Sequence, residues 1–271
     1  MKRTYSVECE GATLIYDTRG AGPPLLLIPG AGGDCAVFSA LAAILADEFQ
    51  VITYDRRCNA RSSGDRTSDL NMAQQARDVV AVLRAAQLER AMVFGNSSGA
   101  SIALQLAMDH PHCIEALLLH EPAVMTVLPD AAELLEFNRY VVQIYRERDA
   151  RAAVMLFASI FVGFDKPVAG GIGQEKDRPF LFEHEMAQIA RFMPNLERIR
   201  EANIPTALLV GALSGDAFYA RTGPVLANEL GCQCTTVPGN HLAFKLDPQP
   251  FALALRQIIA DFPSEASMRT V

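Results

Sequence analysis

The sequence predicts an α/β protein: a mostly parallel, twisted sheet with helices on both faces, plus a helical insertion. Three observations carry that reading. Between residues 23 and 121, strand-type runs alternate with helix-type runs. The strand runs are continuously apolar, as strands covered on both faces must be. From 122 to 203 only helix-type stretches appear, and strands return at 204. The chain therefore reads as a core domain of residues 1–121 and 204–271, with a helical cap, or lid, of residues 122–203.

Each element has its own signal. Residues 4–9 and 12–18 are short β-type runs around Glu10-Gly11, a predicted hairpin. PPLLLIPG at 23–30 is an apolar run closed by Pro and Gly, and FQVITYD at 49–55 is the next strand. Between them, 36–47 is rich in Ala and Leu and predicts a helix. Residues 72–87 place Met72, Ala76, Val79, Val80 and Leu83 on one helical face. AMVFG at 91–95 is a strand, 98–109 a helix stopped before His110-Pro111, and CIEALLLH at 113–120 a strand. In the insertion the helical stretches are 130–147, 149–162 and 183–201. A loop containing VAGGIG precedes the last of them; its glycine pair reads either as a hinge for lid motion or as a surface loop. IPTALLVG at 204–211 and CQCTTVPG at 232–239 are strands, with helices at 216–229 and 248–262.

A chain of 271 residues buries enough surface to fold without disulfides or a structural metal. With 24 basic and 31 acidic residues the net charge is −7, so nucleic acid and anionic membrane are not expected partners. No run of about 18 apolar residues marks a membrane span, and no apolar run after Lys2-Arg3 marks a secretory leader. Cys9, Cys35, Cys58, Cys113, Cys232 and Cys234 therefore read as reduced thiols of a cytoplasmic protein. The Cys-x-Cys pair is not a zinc spacing, and no metal or organic cofactor is expected. A homodimer is compatible with the composition but not demanded by it.

The chemistry sits in Gly95-Asn96-Ser97-Ser98-Gly99, between a predicted strand and a predicted helix. This G-x-S-x-G form suits a tight turn that lifts a serine above the sheet edge, with small residues two before and two after it. The Ser98 N–H, at the helix N-terminus, can stabilise a developing oxyanion. Serine needs a base. His241, in PGNHLAF between the last strand and the last helix, is the first candidate. His110 and His112 flank a proline, His184 lies in the insertion, and His120 ends a strand one residue before Glu121. An acid must orient the histidine, and two are placed for it: Glu121 at the tip of a buried strand, and Asp216 beyond TALLVG. The glycine-rich Gly30-Ala31-Gly32-Gly33 follows another strand. Ala31, or alternatively Gly32, would donate the second oxyanion N–H, and Gly30 lets substrate approach the backbone. Met125, Phe161, Phe164, Phe182, Met186 and Phe192 of the insertion are candidates for an apolar pocket, although most such residues would form the insertion's own core.

These segments resemble the α/β-hydrolase superfamily over nearly the whole chain except the insertion. PGAGGDCAVFSAL resembles its oxyanion loop, with Pro-Gly where His-Gly is usual. YDRRCNARSS resembles its D-x-R-G-x-G-x-S stretch, with Cys58 and Ala60 in place of the two glycines, which predicts a differently shaped turn. FGNSSGASIAL resembles the nucleophile elbow and PGNHLAF the histidine loop. Most members place the acid where this chain has Ser214. A subset, the zearalenone-type lactone hydrolases, moves it to the end of an earlier strand. Their S-S-G-A-S and C-H-E-L-P are similar to Ser97–Ser101 and to Leu119-His120-Glu121-Pro122, which favours Glu121.

The resemblance implies a serine hydrolase acting on a small apolar ester or lactone through an acyl-enzyme. Other chemistries fit the same residues: cofactor-free haloperoxidase or perhydrolase activity, or C–C bond hydrolysis or lysis. A non-catalytic ligand receptor on the same scaffold is the reading from a different class.

Overall fold

The chain begins with a hairpin. β1 (Arg3–Cys9) and β2 (Ala12–Arg19) pair antiparallel with Cys9 opposite Ala12. Glu10 and Gly11 both hold positive φ, 44° and 79°. That is the two-residue turn whose twist matches the flanking strands. The computed structural model describes residues 1–147, 149–164 and 173–262.

Seven elements follow in the order the sequence predicts: β3 (Pro24–Ile28), α1 (Ser39–Leu45), β4 (Gln50–Tyr54), α2 (Met72–Ala85), β5 (Ala91–Asn96), α3 (Ser98–Asp109) and β6 (Ile114–His120). One 3-10 turn, Cys35–Phe38, leads into α1. After the helical segment come β7 (Thr206–Gly211), α9 (Phe218–Leu230), β8 (Gln233–Val237), the short α10 (Ala243–Leu246) and α11 (Pro248–Ala260). The eight strands of the described residues form one sheet in the order β1-β2-β4-β3-β5-β6-β7-β8. β2 is antiparallel to β4, and every pair from β4/β3 to β7/β8 is parallel.

The period-2 alternation of each strand divides the core in two. Leu26 and Ile28 of β3, Val93 of β5, and Leu117 and Leu119 of β6 meet α2, α3 and α9 on one face. Leu25 and Leu27, Phe94, and Ala116 and Leu118 meet α1, α10 and α11 on the other. Each fully buried leucine contributes roughly 1.5–3 kcal/mol. No helix among the described residues is long and apolar enough to cross a membrane.

Between β6 and β7 the described residues form α4 (Ala131–Arg146), α5 (Ala150–Ala158), α6 (Arg178–Phe180), a π-helical turn Leu181–Glu185, α7 (Met186–Ala190) and α8 (Leu196–Glu201). The single helix expected at 183–201 is broken. Pro194 lacks the N–H a continuing helix needs, and Asn195 caps α8 by accepting from the Arg198 N–H. The Gly170-Gly171 pair lies outside the described residues. This segment has a core of its own, built on Val141, Val142, Ala153, Val154, Leu181, Phe182 and Met186.

The turn at Cys58-Asn59-Ala60 puts two non-glycine residues in left-handed backbone. Both substituted residues keep a glycine-like backbone, with φ of 67° at Cys58 and 49° at Ala60. The turn's polar groups are held from several sides. The Ala60 N–H donates to Asp177 Oδ2 at 2.8 Å, and Lys176 donates to the Ala60 carbonyl. Arg66 bonds the Cys58 carbonyl and pairs with Asp177. A left-handed L-residue costs about 1–2 kcal/mol. Ala60→Gly is therefore expected to raise the unfolding free energy by about 1 kcal/mol, read from the midpoint of urea denaturation.

Candidate active site

β5 turns into α3 through Ser97, at φ 57° and ψ −123°. The glycines around it are sterically required. A Cβ on Gly95 would stand 2.5 Å from the Gly99 carbonyl oxygen, and one on Gly99 would stand 2.2 Å from the Ile28 carbonyl oxygen. The strained serine is pinned on both sides: its N–H donates to the His120 carbonyl at 3.0 Å, and its carbonyl accepts from Ala100, Ser101 and Ala123. Strain of this kind persists only where the surroundings over-determine it.

β6 delivers Glu121 in a second left-handed conformation, φ 48°. Its Oε2 accepts from His241 Nδ1 at 2.6 Å, and its Oε1 accepts from the Gly211 N–H at 2.8 Å. Both residues are buried. A donor at Nδ1 leaves His241 Nε2 as the basic nitrogen. Burial alone would raise the Glu121 carboxyl. The His241 hydrogen bond, then the neighbouring His120 and His241 rings and the Ser214 hydroxyl, outweigh it and hold the carboxyl at about 2. The His241 ring is packed by Tyr219 at 4.1 Å and Phe161 at 5.3 Å between centroids. Asp216 is exposed and its carbonyl accepts from Arg221 Nε at 3.2 Å, so the structure brings Glu121 and not Asp216 to the histidine.

His120 is buried among Phe94, Phe244 and Phe251. Its Nδ1 accepts from the Asn96 amide at 3.0 Å, and its Nε2 lies 4.0 Å from Glu121 Oε2. Burial pushes the imidazole down to about 4 despite Glu121. The unfolded chain thus takes up a proton near pH 6.5 that the folded chain refuses until about 4. Stability is fully present above 6.5 and falls as pH drops through that window. His120→Phe is expected to remove a loss on the order of 3 kcal/mol between pH 6.5 and 4, measured by urea unfolding at stepped pH.

Ser97 and His241 line one cavity with Gly30, Ala31, Asn96, Phe157 and Phe161. Gly30 packs against the elbow: a Cβ there would lie 3.0 Å from Ser97 Cβ. Ser98 opens α3, and Gly32 holds φ 81°. The cavity volume is about 40 Å³, room for a few waters. Grooves of about 660–840 Å³ open elsewhere and contain none of Ser97, Glu121 or His241.

Of the other expected pocket residues, Phe164 stacks edge-on with Phe161. Phe182 and Met186 belong instead to the helical segment's own core, where their apolar surface is already covered. Phe192 packs into the α2/α3 face of the sheet core, and Met125 is buried in the turn after β6. Sequence reasoning missed Tyr219, Val37, Leu242 and Phe244 around the histidine and cavity. Tyr219 sits at the start of α9 with no motif to flag it. Asp34, Cys35 and Asp55 bring three potential metal ligands within 4.8 Å. Asp55 is already bonded to the Cys35 N–H and Arg61, and burial pushes the Cys35 thiol up, so the trio is poorly suited to a cation.

An uncharacterized hydrolase of Bacillus subtilis (strain 168), YraK, is 26% identical over 260 residues, 94% of this chain and 95% of its own. A thermophilic esterase from Thermogutta terrifontis superposes with a TM-score of 0.78 at 19% identity, covering 95% of this chain and 98% of that one. A structure described as an N-acyl homoserine lactone degrading enzyme gives 0.66 at 20% identity, covering 93% and 99%. The alpha/beta hydrolase fold family matches residues 23–164, more than half of the chain, and the chain belongs to that family.

Proposed function

We propose that this hydrolase-family protein cleaves a carboxylic ester or lactone through an acyl-enzyme, with Ser97 as nucleophile, His241 as base and Glu121 as orienting acid. The observation that carries the reading is the 2.6 Å Glu121–His241 Nδ1 contact beside a strained serine in a shared cavity. Glu121 fixes the tautomer with Nε2 free, and stabilises the imidazolium once it forms. His241 takes the Ser97 proton as the hydroxyl attacks the carbonyl. The Ala31 and Ser98 N–H groups receive the oxyanion. His241 then protonates the leaving alkoxide, and in the second half-reaction it activates water to release the acid.

The cavity of about 40 Å³ does not hold an acyl chain, so substrate enters by displacement of the Phe157 and Phe161 side chains, which belong to the helical segment. That segment then acts as a cap whose apolar lining selects the acyl group. The named activities of the esterase and lactone-degrading neighbours agree with this choice of bond.

The test is a panel of esters and lactones of graded acyl size, with a diketone and peroxide-dependent halogenation as controls. Ester or lactone turnover, abolished by His241→Ala, is expected. Turnover confined to the diketone or requiring peroxide would replace this reading with C–C bond cleavage or perhydrolysis. Binding without turnover of any of them would favour a receptor.

A further inference from the structure

Arg56 and Glu185 form an ion pair with both side chains fully buried, Arg56 following β4 and Glu185 closing the π-helical turn of the segment between β6 and β7. The same Arg56 Nη2 that meets Glu185 also donates to the Gly30 carbonyl at 2.9 Å. The backbone joins the same structure: the Arg56 N–H donates to the Gly33 carbonyl at 2.8 Å, and the Gly33 N–H to the Gly30 carbonyl at 3.0 Å.

The Gly30 carbonyl and the Ala31 N–H are two ends of one peptide unit. That unit is planar and, with no cis peptide among the described residues, its C=O and N–H point in opposite directions. A guanidinium that grips the oxygen therefore fixes where the N–H aims. Gly30 and Ala31 line the cavity beside Ser97. The pair is poorly built as a stabilising device. Arg56 Nε and Nη1 and Glu185 Oε2 meet no hydrogen-bond partner among the described residues, and a buried pair so incompletely bonded gains little over apolar side chains.

We propose that Arg56 is a positioning residue that aims the Ala31 N–H at the oxyanion, and that Glu185 holds Arg56 in place only while the helical segment is seated. Assembly of the oxyanion site is thereby coupled to seating of that segment. The inference rests on the ester or lactone reading above. It adds a residue pair that touches no substrate and a link between the segment and the reacting centre.

The experiment compares Arg56→Met, Glu185→Met and the double variant. Each single change strands a buried charge and lowers Tm, whereas removing both charges returns Tm to near the wild-type value. Activity is expected not to return with it. The double variant keeps a kcat about 100-fold low with KM within about threefold, because the Gly30 carbonyl keeps the Gly33 N–H but has lost the guanidinium that fixes its direction. Affinity for a trifluoromethyl ketone analogue of the ester falls by the same factor as kcat/KM. Glu185→Gln, which keeps the size and a hydrogen bond to the guanidinium, is expected to lower Tm less than Glu185→Met, with a smaller loss of about 3- to 10-fold confined to kcat.

A double variant with wild-type Tm and wild-type kcat, or Glu185→Gln with full kcat and full analogue affinity, would overturn the positioning role while leaving the function standing. If wild-type protein neither turns over esters or lactones nor binds the ketone, the functional reading falls and this inference falls with it.

Discussion

Replacing Glu121 by Gln is expected to lower kcat by about a thousand- to ten-thousand-fold while leaving the fold in place. The carboxylate accepts from His241 Nδ1 and from the Gly211 N–H. A glutamine can still accept from Gly211, but it then presents an NH2 group to the histidine. The imidazole must answer with an unprotonated Nδ1, which puts the proton on Nε2 and removes the base Ser97 needs. The imidazolium formed during the reaction also loses its counter-charge. Asp216→Asn, on an exposed residue away from the histidine, is expected to stay within about twofold of wild type. Steady-state kinetics on both variants decide the matter, and the reverse pattern would move the acid to Asp216. The carboxyl also has a pH signature. Its folded value of about 2 lies below the ordinary 4.5, so its contribution to stability is present above 4.5 and is lost as pH falls toward 2.

The second large effect joins rate and stability with opposite signs. Ser97→Gly is expected to cost about a millionfold in kcat, since the nucleophile is gone. The same change is expected to stabilise the protein by about 1–3 kcal/mol, because glycine occupies φ 57°, ψ −123° without the strain a serine bears there. Ser97→Ala, which keeps the Cβ and therefore the strain, should lose the same activity with little gain in Tm. Urea unfolding of the two variants separates the backbone effect from the hydroxyl. Equal stability for Ala and Gly at this position would mean that the elbow is not strained.

Much of the molecule was legible where chemistry is local in sequence. The apolar runs at 24–28, 91–96 and 114–120 suited strands covered on both faces, and the small residues at Gly95 and Gly99 announced a turn that the backbone clashes explain. What pattern could not reach is long-range. Pro194 breaks a helix that amphipathic spacing alone would continue. Cys58 and Ala60 take a glycine's backbone, and Asp177, Lys176 and Arg66 hold the turn from outside it. Aromatic residues of the insertion carry no mark distinguishing a pocket wall from a core, so Phe161 reaches the cavity while Phe182 and Phe192 do not. Tyr219 meets His241 across a sequence separation that no periodicity encodes. The Arg56–Glu185 pair likewise spans two distant segments.

The central claim is an activated serine at position 97. Treating the wild-type protein with a small fluorophosphonate and mapping the adduct by peptide mass spectrometry tests it most directly. A single adduct on Ser97, lost in Ser97→Ala and strongly slowed in Glu121→Gln, is the predicted result. No adduct on folded protein, or labelling at another serine with Ser97 unmodified, would contradict it.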